Sequence, residues 1–194
     1  MSTTWRALST EIRACTACAE LAQARQHVVV GERPGPGRPA LAFVGEAPGA
    51  AEDAAGRPFV GKAGQLLDQL LNDAALDRAQ AAVLNVLKCR PPGNRPPKPD
   101  EIARCRPYLE RQLALLQPQL VVALGLTAVA WFLGRRTTLA AARGRVHHVP
   151  VAGVDLKVLA TYHPSAAIRF GPSGAPMAAL RDDLAFAAKL IAQP

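Results

Sequence analysis

The sequence predicts an α/β fold with three α/β/α layers, in which a parallel sheet is covered by helices on both faces. Short apolar segments that end at glycine or a polar residue alternate with longer segments of helical periodicity. The chain has 194 residues, of which 49% are hydrophobic. This size suits one domain with its own core. We therefore treat residues 1–194 as a single domain, with an N-terminal helical segment over residues 1–24.

The predicted core strands are almost continuously apolar, as expected for strands that are buried on both faces. They lie at 41–44, 81–87, 120–124 and 156–160. We also expect a short strand at 28–30 and an edge strand at 146–149.

Helices are predicted between these strands, at 5–24, 63–75, 100–117, 127–133 and 176–192. The second of them places four leucines on one face. Pro107 predicts a kink or a new start within 100–117, and Gly134 predicts the end of 127–133. The segments 31–39, 46–61 and 90–99 are predicted turns and loops.

The charge balance favours a polyanionic partner, with nucleic acid first. The net charge is +8, and 18 of the 23 basic residues are arginine, which contacts phosphates with two hydrogen bonds and stacks on bases. A general bias toward arginine, alanine, proline and glycine explains the charge equally well. No apolar run approaches the roughly 20 residues of a membrane span, and no apolar signal segment begins the chain. We expect a cytoplasmic monomer without membrane contact.

Polar, turn-rich segments follow three of the core strands. They are GEAPG at 45–49, Asn85 with the KCR at 88–90, and TYHPS at 161–165. Because the carboxyl ends of parallel strands meet at one edge of a sheet, we expect these segments to form one site.

The four cysteines form a second constellation. Cys15 and Cys18 are two residues apart, and Cys89 and Cys105 follow much later. Disulfides do not suit a chain without an export signal, and a redox pair would leave two cysteines unexplained. Four thiolates suit a structural zinc or an iron–sulfur cluster, and the spacing does not choose between them. Either would tie the N-terminal segment to 90–99; burial as small apolar residues is the plainer alternative.

The segment GRPFVGKA at 56–63 nearly matches a phosphate-binding loop. Ala63 lacks the hydroxyl that would hold magnesium, and Pro58 lacks an amide that would cradle phosphate. A nucleotide hydrolase is therefore a weak alternative. The glycines more plausibly start a helix close to a ligand or a DNA phosphate.

Five segments together resemble the family 4 uracil-DNA glycosylases, the iron–sulfur branch of their superfamily. They are GEAPGAAED (45–53), GRPFVGKAGQLLD (56–68), NVLKCRPPGNRPP (85–97), LVVALG (120–125) and TYHPS (161–165). The resemblance extends from Cys15 to Arg169 and includes the cysteine spacing. It implies a four-stranded parallel sheet between helices and a [4Fe-4S] cluster on Cys15, Cys18, Cys89 and Cys105. The implied reaction is hydrolysis of the N-glycosidic bond of deoxyuridine in DNA, which leaves an abasic site with the backbone uncut.

The resemblance also implies roles for residues that would bind the base. Phe59 resembles the aromatic residue on which a flipped uracil stacks, although an ordinary core phenylalanine is the plainer interpretation. Asn85 resembles the amide that reads O4 and N3–H, since an amide has both a donor and an acceptor. It would otherwise be a turn former at a strand end. Gly45 and Ala47 are expected beside the substrate, and Ala47 stands where the best-known branch of the superfamily has an aspartate.

Three further residues carry implied roles in catalysis or specificity. His163 resembles the histidine that donates to uracil O2 as negative charge develops there; otherwise it is a structural histidine at a strand end. Glu46 resembles the acidic residue that positions water or stabilises the cationic sugar, and otherwise it is an ion-pair partner. Glu52 resembles a residue that excludes the methyl group of thymine, since Gly49 is too small to do so. A solvated acidic loop is the alternative for Glu52.

Contacts to DNA are expected from the basic stretch 88–106 and from the segment that follows His163. The expected phosphate contacts are Lys88, Arg90, Arg95, Ser165 and Arg169, and Ile168 is the expected wedge that fills the space left by the flipped base. A solvated charged face is the alternative for the basic residues. The expected partner is uracil-containing DNA, single- or double-stranded.

Two relatives and one other class of protein are weighed against this prediction. Family 5 enzymes lack the acidic residue at the position of Glu46, and a covalent uracil-binding relative has a histidine in a loop that here, at 90–99, has none. The alternative function is a non-catalytic iron–sulfur module that binds DNA or senses redox state. It leaves Glu46, Asn85 and His163 at the strand ends unexplained.

Overall fold

A computed structural model describes residues 4–192. Its sheet has five strands: β1 (Leu41–Gly45), β2 (Ala81–Asn85), β3 (Leu120–Leu124), β4 (Val146–Val151) and β5 (Val154–Thr161), in the order β2-β1-β3-β5-β4. Four strands are parallel, and β4 pairs antiparallel with β5. The expected four-stranded parallel sheet is thus corrected to five strands. The reason is the tight turn at Ala152 and Gly153, whose positive φ angles (47° and 82°) fold β4 back beside β5.

Nine helices occur within the described residues. They are α1 (Trp5–Arg13), α2 (Ala19–Ala24), α3 (Ala50–Ala55), α4 (Lys62–Asp73), α5 (Pro99–Leu116), α6 (Leu126–Leu133), α7 (Leu139–Ala142), α8 (Pro164–Phe170) and α9 (Ala175–Ala192). None of these helices has the length and apolar character needed to cross a membrane.

The three-layer arrangement is confirmed by two apolar cores, one on each face of the sheet. Alternate residues of β1 point to opposite cores: Ala42 and Val44 to one, Leu41 and Phe43 to the other. The first core is completed by α5, α6 and α7, and the second by α4, α8 and α9. Both faces are therefore closed, which leaves the carboxyl edge for a ligand.

The N-terminal region departs from the prediction in two ways. The predicted helix over 5–24 is two helices, because α1 ends before the cysteine-containing turn and α2 begins after Cys18. The predicted strand at 28–30 is not a strand. Val29 donates one hydrogen bond to the Lys88 carbonyl (2.8 Å), and Glu32 pairs with Val83 in an isolated bridge.

Two other local expectations change. α5 runs through the exposed Pro107 as one helix, since the carbonyl that loses its partner lies where water can reach it. The predicted loop over 46–61 contains α3, and α8 follows His163 directly with Pro164 at its first position.

Candidate active site and cysteine cavity

A pocket of about 250 Å³ lies at the carboxyl edge of the sheet, where the sequence predicts the site. It is lined by Glu46, Ala47, Pro48, Gly49, Glu52, Phe59, Ala63, Asn85, Pro91, Asn94, Arg95, His163 and Ser165. The ends of β1 and β2 and the start of α8 thus bring together most of the predicted site residues.

The end of β1 passes close to two of the pocket side chains. A Cβ atom at Gly45 would lie 2.5 Å from Asn85 Oδ1 and 2.6 Å from Phe59 Cζ. The ring of Phe59 stands 5.6 Å from that of His163, centroid to centroid, at 35°. Because Gly45 has no side chain, it leaves space for the side chains of Asn85, Phe59 and His163 to lie close together.

Two charged residues hold the loop that carries Phe59. The Glu52 carboxylate accepts the backbone N–H groups of Gly49 (3.1 Å), Val60 (3.0 Å) and Gly61 (2.8 Å). Arg78 donates to the carbonyls of Pro58 (2.8 Å) and Phe59 (3.0 Å). Glu52 thus binds backbone as well as lining the pocket. Arg78 was missed by the sequence analysis, because a lone arginine between Asp77 and Ala79 carries no local signal.

Asn85 presents a buried acceptor in need of a partner. Its side chain is buried, and Oδ1 has no hydrogen bond with any residue in the described part of the chain. An unsatisfied buried acceptor costs about 1–3 kcal/mol, so such groups are commonly completed by a ligand or water. Nearby, Lys88 Nζ donates to the Asn85 carbonyl (2.7 Å) and fixes the end of β2 from within.

His163 is held as a neutral donor. Burial lowers the pKa of His163 to about 4, although the charge of Glu52 opposes the shift. Nδ1 accepts the backbone N–H of Ser165 (3.2 Å) and lies 2.8 Å from the Ser165 hydroxyl. From this hydrogen bond we assign the proton of the neutral ring to Nε2, which can donate to a ligand.

Glu46 follows β1 at the mouth of the pocket and contacts a residue that was not predicted. The Thr127 hydroxyl, in the first turn of α6, donates to Glu46 Oε2. The sequence signal for Thr127 is weak, because it stands two residues after the LVVALG segment and has no motif of its own.

The structure exposes some of the residues that were expected to contact DNA and buries one of them. Ser165, Ile168 and Arg169 are exposed on α8, and Phe170, which was not predicted, is 66% exposed beside them. Lys88 is 2% exposed, so burial removes it from the surface that a phosphate can reach.

The other two basic residues are partly exposed and already have partners. Arg90 donates to Asn94 Oδ1 (2.7 Å). Arg95 binds both oxygens of Glu101 (2.6 and 3.0 Å) and lies 3.2 Å from Glu20. Arg95 therefore links α2 and α5 at the wall of the pocket.

A second, much smaller cavity is lined by the cysteines. All four line it, together with Arg25, Lys88, Arg104, Tyr108 and several apolar side chains. Burial raises the pKa of the Cys89 thiol, and raises that of Cys105 to about 11. Arg25 opposes the shift at Cys89 by donating to its Sγ (3.0 Å). Within residues 4–192, no three His, Cys, Asp or Glu side chains stand in an arrangement suited to one metal ion.

The comparisons with known proteins agree with this site. The model of the uracil DNA glycosylase superfamily matches residues 26–185. The chain belongs to this superfamily. It is 43% identical to the type-4 uracil-DNA glycosylase of Pyrobaculum aerophilum over 162 residues, which is 81% of each chain.

Two further relatives show which branch is most similar. The type-4 enzyme of Thermotoga maritima is 42% identical over 84% of this chain and 82% of its own. The type-5 uracil-DNA glycosylase of Mycobacterium leprae is 30% identical over 95% and 94%. The resemblance to the type-4 branch is therefore confirmed.

Proposed function

We propose that this protein is a DNA-repair uracil-DNA glycosylase that hydrolyses the N-glycosidic bond of deoxyuridine, releases uracil and leaves an abasic site. The observation that carries the proposal is the unpartnered Asn85 Oδ1 in a pocket that also contains a neutral histidine and an aromatic ring. The type-4 relatives support it by name.

The polar groups suit the edge of uracil. Asn85 Oδ1 accepts N3–H, and the amide N–H of the same side chain donates to O4. Cytosine presents an acceptor at N3 and a donor at N4, which would place like groups against each other. The target nucleotide leaves the base stack, and its base lies on Phe59.

The reaction proceeds by departure of the base and addition of water. The C1′–N1 bond breaks, and its electron pair goes to uracil, where His163 Nε2–H stabilises the charge at O2. A neutral donor suits this step, because its hydrogen bond to O2 strengthens as negative charge develops there, while the proton stays on Nε2. Water adds to C1′ and releases a proton to solvent, and the uracil anion takes a proton from solvent.

Glu46 acts on the sugar side of the bond. Its carboxylate stabilises the positive charge that develops on the sugar and positions the attacking water. The location of Glu46 in the lining of the same pocket as Asn85 and His163 supports this role. The reaction leaves an abasic site with the DNA backbone uncut.

We further propose a [4Fe-4S] cluster held by Cys15, Cys18, Cys89 and Cys105, as a structural anchor for the N-terminal segment. Four sulfurs around one cavity fit such a group, and Arg25 and Arg104 offset the charge of the thiolates. A single zinc needs sulfurs about 2.3 Å from one point. Structural zinc is the alternative, and iron content with absorption near roughly 400 nm would distinguish the cluster from it.

DNA contacts are proposed for the exposed residues around the pocket. The phosphates are contacted by Ser165, Arg90 and Arg169, and Arg95 at the pocket wall is a further phosphate contact. Ile168 enters the space that the flipped base leaves in the DNA. Exposure of Ile168 (46%) supports the last role. We propose that the protein acts as a monomer in the cytoplasm on uracil-containing DNA.

The test is glycosylase activity on a labelled oligonucleotide with one deoxyuridine, read as abasic sites after alkali treatment. Asn85→Ala and His163→Ala are each expected to lower the single-turnover rate by about 10²–10³-fold. Asn72→Ala, on the exposed side of α4, is the matched control and should keep the wild-type rate. Oligonucleotides with cytosine or thymine should not react. Absence of uracil release from cluster-loaded wild type would refute the proposal and favour a non-catalytic DNA-binding or redox-sensing module.

A further inference from the structure

Thr127 lies outside the group of residues that bind the base, yet it contacts the proposed catalytic carboxylate. β3 ends at Leu124, and α6 brings the Thr127 side chain beside the end of β1. Its hydroxyl donates to Glu46 Oε2. We propose that Thr127 is a positioning residue, which fixes the Glu46 carboxylate so that Oε1 holds the attacking water. This inference rests on the role of Glu46 in the proposed function.

The backbone and the side chain of Glu46 are held by different elements. The Glu46 carbonyl accepts the backbone N–H of Leu87 (3.0 Å), which ties this residue to the segment after β2. In the part of the chain that the structure describes, Thr127 supplies the side-chain hydrogen bond that Glu46 receives. A glutamate side chain loses up to about 2 kcal/mol of rotamer entropy when it is ordered. With Thr127 in place, that ordering is complete before substrate binds.

A threonine hydroxyl is suited to this task because it is a neutral donor. A lysine or arginine would also hold the carboxylate, but its positive charge would offset the negative charge that faces the sugar. The hydroxyl occupies Oε2 and leaves Oε1 and the full charge for the reaction. Threonine is also stiff at χ1, so the donor itself has few alternative positions.

The inference is tested by single-turnover kinetics with variants that separate the hydroxyl from the shape of the side chain. Thr127→Val keeps the shape and removes the donor, and the rate is expected to fall by about 10–100-fold, as for a misplaced catalytic group. Thr127→Ser restores the donor and should stay within about threefold of wild type. Thr137→Val is the control, because Thr137 lies in the segment between α6 and α7 and its hydroxyl donates to the Leu133 carbonyl (3.1 Å).

A second readout distinguishes positioning from general damage to the pocket. Inhibition by free uracil depends on Asn85, Phe59 and His163, so Thr127→Val should leave the uracil inhibition constant unchanged. In a Glu46→Gln background, Thr127→Val should cause no further loss of rate, because the group it positions is already removed.

The outcomes separate this inference from the proposed function. If Glu46→Gln is slow and Thr127→Val keeps the wild-type rate, Thr127 does not position the carboxylate and the proposed function stands. A Thr127→Ser protein as slow as Thr127→Val, or a weakened affinity for uracil, would overturn the inference in favour of a structural role. Full activity of Glu46→Gln would refute the role of Glu46 and the inference together.

Discussion

The catalytic pocket and the cysteine cavity share one segment of chain, but they differ in whether their buried polar groups already have partners. In the catalytic pocket, Asn85 keeps an unpartnered acceptor and His163 a free donor, so the lining is completed by a ligand. In the cysteine cavity, the sulfur atoms already face cations such as Arg25. The catalytic pocket is therefore suited to bind and release a ligand, and the cysteine cavity is suited to hold the proposed cluster permanently.

The segment that follows β2 serves both cavities. Asn85 lines the catalytic pocket and Cys89 lines the other, with Lys88 between them bonded to the Asn85 carbonyl. Glu20 and Arg95 add a second link, from α2 to the pocket wall. A substitution in one cavity should therefore affect the other cavity through these two contacts.

The largest effect is expected from filling the space beside Gly45, at the end of β1 in the catalytic pocket. In Gly45→Ala the new methyl group would lie within 2.6 Å of both Phe59 Cζ and Asn85 Oδ1, so these side chains must shift. We expect the single-turnover rate to fall by about 100-fold. Iron content and absorption near roughly 400 nm should not change. Equal loss of iron and activity would show that the two cavities are not separable.

The reverse experiment opens the cysteine cavity. If the proposed cluster is present, Cys89→Ser should remove most of its iron and lower stability by about 2 kcal/mol, or roughly 4–8 °C in a domain of this size. The single-turnover rate well below the melting temperature should fall by less than about tenfold, since no step of the reaction uses the cluster. Calorimetry and iron analysis measure the first effects. A rate as low as that of Gly45→Ala would contradict a purely structural role.

An intermediate effect is expected from pH. The pKa of His163 is about 4 in the folded protein against an ordinary value of 6.5, so the unfolded chain binds this proton more readily. The contribution of His163 to stability therefore rises as pH increases from about 4 to 6.5 and is constant above that window. NMR titration of the imidazole measures the midpoint, and a value near 6.5 would show that the ring is not desolvated.

The smallest effect is expected from the ion pairs that link the cavities. Glu20→Gln removes contacts to Arg95 (3.2 Å) and Lys98 (2.6 Å), which are partly exposed. We expect the melting temperature to fall by about 1–2 °C, with uracil release nearly unchanged. Glu11→Gln is the matched control, since Glu11 forms a partly exposed ion pair with Arg111 of α5 and neither residue lines the catalytic pocket. A loss of activity in Glu20→Gln alone would identify Arg95 as a coupling point.

Sequence patterns predicted the parts of the molecule that depend on local chemistry. β3 was placed correctly because an apolar run of strand length ends at a glycine. Asn85 and His163, which line the pocket, were predicted from segments that resemble a known family. The direction of β4 was not predicted, since it depends on backbone angles at Ala152 and Gly153. Thr127 and Arg78 act on partners about 80 and 20 residues away, and no local pattern records such contacts.

The edges of the sheet have a consequence for how copies of the chain behave together. The outer strand β4 contains Pro150, which has no N–H to donate to a neighbouring strand. At the opposite edge of the sheet, Glu32 forms an isolated β-bridge with Val83 of β2. Both features oppose the addition of a strand from another molecule. At high protein concentration, copies of the chain are therefore expected to resist pairing of their sheets edge to edge.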